Sequence, residues 1–446
     1  MALALIAGGC QSYRAEPLEL GAHRESFLAR TPESPEVAAF ARALAPDDPP
    51  DRAVFDLADG ITRDEAEAAA LVFNADLRIA RLRAGVTEAS AANAGLWEDP
   101  VIGVDLTRII ESNPYPWKVF TAVGFTIPIS GRLEVEKQRA GAAHIAELAR
   151  VAAAEWEMRI DLREAWTRWQ ALDAEVSVTS EFLARMDDVL ALVDLMERAG
   201  EISRTEARLF RIEQATSATE LAVLSAARTE AELEIKHLIG LAPSAPVRLV
   251  ASGFREHAIP VSAGAIEATN PALLVSAAEY EIAERTLELE IRQQYPDLNI
   301  GPGYGREDGQ NQVLLGLSVP VPVINGNRRG IAEATAARDV ARAGAEAALE
   351  TLLADIAASE VRLAAASARR ITLEREIVPL VDAQYADARE IARLGEVNTL
   401  VILESLQRQR EAKDSLIESH RDEALAAIRL QELIGPESPA AEEDHP

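Results

Sequence analysis

The chain carries the same text twice. Arg198-Ala199-Gly200-Glu201-Ile202-Ser203 returns as Arg393-Leu394-Gly395-Glu396-Val397-Asn398, and Leu238-Ile239-Gly240 returns as Leu433-Ile434-Gly435, both 195 positions on. Gly131 and Gly326 keep that offset, while Asn74-Ala75-Asp76-Leu77 answers Asn270-Pro271-Ala272-Leu273, and Pro100 answers Pro296, at 196. Landmarks repeated in order define two homologous halves, so any fold for the chain must use one plan twice.

Each half runs through the same stages. A helical stretch (about 64–97 and 270–294) leads to an extended stretch rich in proline, glycine and β-formers (about 100–130 and 296–325). A very long helical stretch follows (131–199 and 330–394), then a turn at Gly200 or Gly395 and a returning helix to Gly240 or Gly435. No proline interrupts 131–240. Gly200 and Gly395 suit the left-handed position that ends a helix, each with a glutamate next for the start of the following one. Leu162, Trp166, Trp169, Leu172, Val176 and Leu183 recur at helical steps and predict a packed seam. Pro379, inside the second long stretch, predicts a kink.

The extended stretches alternate with a period of two. Trp117, Val119, Thr121, Val123, Phe125, Ile127 and Ile129 share one face, with Lys118, Phe120, Ala122, Gly124 and Thr126 on the other. Val313, Leu315, Leu317, Val319 and Val321 likewise oppose Leu314, Gly316 and Ser318. With polar turns at 111–116 and 306–311, each half offers one β-hairpin, its strands long enough to cross a bilayer at a tilt. Two hairpins cannot close a barrel, and open strand edges are not tolerated in lipid, so closure requires several copies of the chain.

Composition narrows the class. The 446 residues hold 48% hydrophobic but 4% aromatic residues, a balance suited to long, closely packed helices. A net charge of −28 argues against nucleic acid as a partner. No apolar run approaches the ~18 residues of a spanning helix, so any crossing of a membrane must use strands. The six histidines do not pair at metal-ligand spacing, and no nucleophile elbow, zinc-protease motif or phosphate loop is present, so the expectation is a protein that is not an enzyme and needs no cofactor or metal. The single cysteine, Cys10, follows the short apolar run Met1 to Gly9, which resembles a bacterial lipoprotein signal with Cys10 as the lipidated residue.

Duplicated helical hairpins topped by strand hairpins resemble the TolC-like outer-membrane efflux family. The residues that carry the resemblance are Asn74 to Leu77 with Asn270 to Leu273, the strand exits Phe125-Thr126-Ile127-Pro128 and Leu317-Ser318-Val319-Pro320, and the turns at Gly200 and Gly395. The resemblance implies a mainly α fold: long antiparallel helical hairpins in a trimeric α-barrel, and two β-hairpins per chain in a shared transmembrane β-barrel. It implies a homotrimeric outer-membrane duct, lipid-anchored, with a long periplasmic extension docked to a periplasmic adaptor and an inner-membrane pump. The alternative is a periplasmic coiled-coil adaptor without a pore. The expected organisation is a signal remnant (1–9), a lipidated, extended N-terminal strap (10–63), a first repeat (64–240), an equatorial linker (241–269), a second repeat (270–435) and a disordered acidic tail (436–446). By the same resemblance, Gly200 and Gly395 form the periplasmic tip. Glu206 matches a position that ties neighbouring helices by a salt bridge, and Glu404 matches a ring-forming acid. Val401 stands where some members have a second acid. Arg204 and Arg393, with Arg198, are the basic candidates at this aperture.

Overall fold

A computed structural model describes residues 12–44, 60–112, 114–251, 253–254, 266–393 and 399–436. Cys10, Gly395 and the tail after residue 436 lie outside the described residues, as does the side chain of Arg393. The chain divides into two units, one made of the residues up to Asn74 with Thr229–Ser252, the other of Ala75–Arg228 with Gly253 onward.

The elements in chain order are α1 (Leu20–Leu28), α2 (Pro35–Leu44), α3 (Arg63–Phe73), α4 (Ala75–Ala92), β1 (Val101–Arg108), β2 (Trp117–Ile127), α5 (Arg132–Ala199) and α6 (Arg204–Ile239). Then follow α7 (Ile266–Thr269), α8 (Pro271–Arg292), β3 (Leu298–Glu307), β4 (Gln310–Ser318), α9 (Arg328–Thr372), α10 (Val378–Arg393) and α11 (Thr399–Ile434).

In the first unit the expected extended strap is partly helical. α2 begins at Pro35 just after Ser34, whose hydroxyl accepts from the Val37 N–H at 3.4 Å. Serine followed by proline at the first helical position is a helix-start signal, and it outweighs the many prolines of this segment. α3 opens with a capping box in which Thr62 and Glu65 each satisfy the other's backbone N–H. Ile61 bridges Leu249 in parallel, and its N–H donates to the Arg248 carbonyl at 2.8 Å. The core here is Ile61, Ala66, Ala69, Ala70, Ile235, Ile239 and Ala242, all fully buried.

The second unit holds the long helices. α5 is one uninterrupted helix of 68 residues, about 100 Å at ~1.5 Å per residue. Its expected seam is real at Leu162, Trp166 and Trp169, which are buried, with the two indoles edge-to-face at 5.7 Å. Leu172, Val176 and Leu183 are half-buried. Further along, Trp156 and Ile160 pack on Ile428 of α11. The counterpart in the second repeat is α9 plus α10, and the expected kink takes a specific form. A π-helical turn, Leu373–Ile377, joins the two helices, its Val378 N–H donating to Leu373 O. Pro379 follows at once, where it lacks an N–H and its ring crowds the carbonyl four residues back. The wider turn accommodates both defects without ending the helix.

The repeated asparagines and glycines turn out to be partners. The Asn74 side-chain amide donates to Leu238 O at 2.8 Å in the first unit, and Asn270 donates to Leu433 O at 2.7 Å in the second. Asn270 also caps α8, accepting from the Leu273 N–H at 2.9 Å. Beside each asparagine the returning helix ends at Gly240 (φ 86) or Gly435 (φ 92). A Cβ on either would collide with the carbonyl of Phe73 or Thr269. Asn270→Ala should therefore lower unfolding stability by about 2 kcal/mol, and Gly435→Ala by about 2–4 kcal/mol through strain as well as collision. Chemical denaturation followed by circular dichroism reads both.

Candidate functional site

Two regions bear on function: the sheet, and the ends of the helical hairpins. The two strand hairpins are not separate. β2 pairs antiparallel with β3, so all four strands form one sheet in the order β1-β2-β3-β4. An Asp308-Gly309 turn with both residues at positive φ closes β3 onto β4, the two-residue geometry that best matches strand twist. Below the sheet Arg132 at the start of α5 pairs with Asp297 and Glu98, each at 2.9 Å, tying together the approaches to β1 and β3.

Register fixes which side chains share a face. Val104 lies opposite Thr121, Thr121 opposite Tyr304 and Tyr304 opposite Val313. That face collects Ile102, Leu106, Val119, Val123, Phe125, Ile300, Pro302, Leu315 and Leu317. The opposite face carries Asp105, Thr107, Lys118, Thr126, Asn299, Gln310, Gln312 and glycines 103, 124, 301, 303, 305 and 316, with Val101, Phe120 and Leu314 among them. The apolar face is open: Val104 is 65% exposed, Val313 86% and Leu315 72%. Its only charged residues, Arg108 and Arg306, sit at the turn-side ends, where Arg108 lies over the Trp117 ring at 5.5 Å. β1 and β4 each have one strand neighbour in the sheet, so each presents an outer edge of unpaired backbone groups.

At the far end of α5, the Gly200 and Glu201 N–H groups bond to Glu197 O (3.1 Å) and Met196 O (2.9 Å), the doubly bonded ending that a left-handed glycine permits. Ser203-Arg204-Thr205-Glu206 then starts α6 with a capping box: the Ser203 N–H donates to Glu206 Oε2 at 2.8 Å and the Glu206 N–H to Ser203 Oγ at 3.2 Å. Glu206, expected to bind a neighbouring helix, here holds its own helix start, and the Ser203 backbone N–H keeps its carboxyl below the usual glutamate range. Arg204 is exposed and reaches Glu197 at 3.7 Å. A stronger pairing escaped the sequence reading: Arg211 binds Asp194 (2.7 Å) and Glu197 (2.6 Å) across the hairpin. Counting outward from the 200–203 turn sets these positions side by side, so the signal was available. Glu404 and Val401 are exposed on α11, while Ile402, Leu403, Ser405 and Leu406 are buried. Leu403 and Leu406 pack with Phe182, Met186 and Phe210, so Glu404 projects from a fixed helix. One turn beyond, Arg410 on α11 bonds Ser217 at 3.0 Å and pairs with Glu220, both on α6, with its guanidinium 5.1 Å from the Phe182 ring.

This architecture is the fold of the TolC-like outer-membrane efflux channels. The chain superposes on the outer-membrane channel OprN with a TM-score of 0.73 at 16% identity, covering 84% of this chain and 89% of that one. It superposes on the outer membrane protein VceC of Vibrio cholerae with a TM-score of 0.71 at 16% identity, covering 84% and 96%. In sequence it is 25% identical over 245 residues to the cobalt-zinc-cadmium resistance protein CzcC of Cupriavidus metallidurans. That match takes in 53% of this chain and 58% of the length of CzcC. No protein-family model matches the chain.

The tip has a pH signature. A carboxyl held below its ordinary range stabilises the fold at pH above that range, and the contribution disappears as pH falls through the lowered value. The start of α6 should lose hydrogen-exchange protection as pH drops below about 4, after correction for intrinsic exchange. Glu206→Ala should show the unprotected start at all pH values.

Proposed function

We propose that three copies of this chain form an outer-membrane duct that passively conducts substrates outward from a periplasmic adaptor and an inner-membrane pump. The observation that carries this reading is the two-faced, open-edged sheet. Its apolar face suits lipid, where a lysine or arginine at mid-depth would cost about 2–4 kcal/mol. Its unpaired edges suit pairing of β4 on one copy with β1 on the next, since lipid leaves no water to satisfy them. The four strands described in each chain give eight from two copies or twelve from three. An eight-stranded barrel fills with its own side chains, whereas twelve strands leave an open lumen. The fold shared with outer-membrane channels supports the duct reading. Among the described residues no helix is long and apolar enough to cross a membrane.

The rest of the reading follows from it. Cys10 is the site of a lipid anchor at the periplasmic side of the outer membrane. The helix ends around Gly200 and Gly395 form the periplasmic aperture, with a ring of three Glu404 carboxylates at its neck and Arg204 and Arg393 beside it. No catalytic role is assigned to the chain. The adaptor alternative leaves the two-faced sheet without a purpose. CzcC is named for resistance to cobalt, zinc and cadmium, and divalent metal ions are accordingly the first cargo to try.

Purified full-length protein in planar bilayers should give discrete, cation-selective openings, and Glu404→Gln should reduce the cation-to-anion permeability ratio by about twofold or more. Failure of every preparation to conduct removes the duct reading.

A further inference from the structure

The polar face of the sheet holds three charged side chains, Asp105, Lys118 and Glu307. Lys118 and Glu307 form an ion pair near the turn end and neutralise each other. Asp105 lies one row nearer the middle, opposite Phe120 on β2, which in turn lies opposite Gly305 on β3. The Phe120 ring spreads over Gly305, where any Cβ would run into it, and so leans away from β1. Asp105 is left exposed, with no ion pair or hydrogen bond to any described residue. From Val101 to Asp105 is four residues, about 13 Å at ~3.3 Å per residue, which sets the carboxylate near mid-strand. An unpaired charge at that depth is tolerable only on a face that meets water.

We infer that Asp105 is a cation-selecting residue of the pore, forming an anionic ring of three carboxylates inside the membrane barrel. The inference rests on the reading of the chain as one third of a shared barrel, and it concerns a second filter in series with the one at the helix tips. Twelve strands about 4.8 Å apart and tilted by ~40° enclose a backbone cylinder of roughly 12 Å radius. Side chains reach a few ångströms inward, so the axis lies within about one Debye length, ~10 Å at 0.1 M salt, of all three carboxylates. Hydrated cations are then enriched at mid-depth, divalent ones more than monovalent, and the effect fades at 1 M salt, where the screening length is ~3 Å.

Reversal potentials of full-length channels in 0.1 M and 1 M KCl test this, each variant being made in both the native and the Glu404→Gln background so that a dominant neck does not hide the barrel. Asp105→Asn should lower the cation-to-anion permeability ratio by about twofold or more at 0.1 M, with little change at 1 M. Asp105→Cys should react with water-soluble methanethiosulfonates; a cationic adduct should push selectivity toward anions and an anionic adduct should restore it. Val104→Cys, one residue away on the apolar face, should not react, and reagent-treated wild type controls for Cys10. Conducting channels whose ratio is unmoved by Asp105→Asn and by both adducts overturn the inference while leaving the duct intact. A wild type that never conducts overturns the shared barrel itself and the inference with it.

Discussion

The ladder between β2 and β3 is the interaction on which the rest of the structure turns. Among the described residues it is the one set of strand hydrogen bonds that crosses from the first repeat to the second, running from Val119 with Arg306 to Ile127 with Leu298. Two separate hairpins would each have exposed two edges, four in all. Fused, they expose two, those of β1 and β4, and most apolar side chains of the sheet fall on one face. A single sheet with one greasy face, one polar face and two open edges is a wall segment. Copies can be laid edge to edge without altering any of them.

The duplication is more than a record of ancestry, because it supplies the same fastening twice. In each repeat an asparagine at a helix junction reaches the last carbonyls of the returning helix, and a glycine lets that helix end against the backbone beside the asparagine. The two residues depend on each other: the amide needs the carbonyl close, and the closeness excludes a side chain. That the fastening holds a helix junction in each of the two compact units explains why these short stretches keep their order and spacing when most of the text between them has diverged.

Much of this was legible in the sequence. The halves, the helices, the strand alternation and the hairpins follow from periodicity and from proline and glycine placement, which are local. The asparagine and glycine landmarks were visible as repeats but not as a contact, because nothing in spacing reveals that residues 164 apart touch. The helices at Leu20–Leu28 and Pro35–Leu44 were masked by prolines, although Ser34-Pro35 is itself a start signal. At the tip, Ser203 and Glu206 match the capping pattern by spacing alone, and that local role is the one the carboxylate performs within a single chain. The fusion of the two hairpins into one sheet had no local signature, since it depends on where the helices place the strand ends.

The π-helical turn ahead of Pro379 has a consequence for symmetry. Gly131 to Gly200 and Gly326 to Gly395 count the same number of residues, yet only the second arm contains the wider turn. Past that turn the second arm is out of phase with the first, so matching positions in the text no longer point the same way. In the proposed trimer, six arms of equal count would alternate in winding. That ring would be threefold and not sixfold, its arms falling into two distinct sets of three.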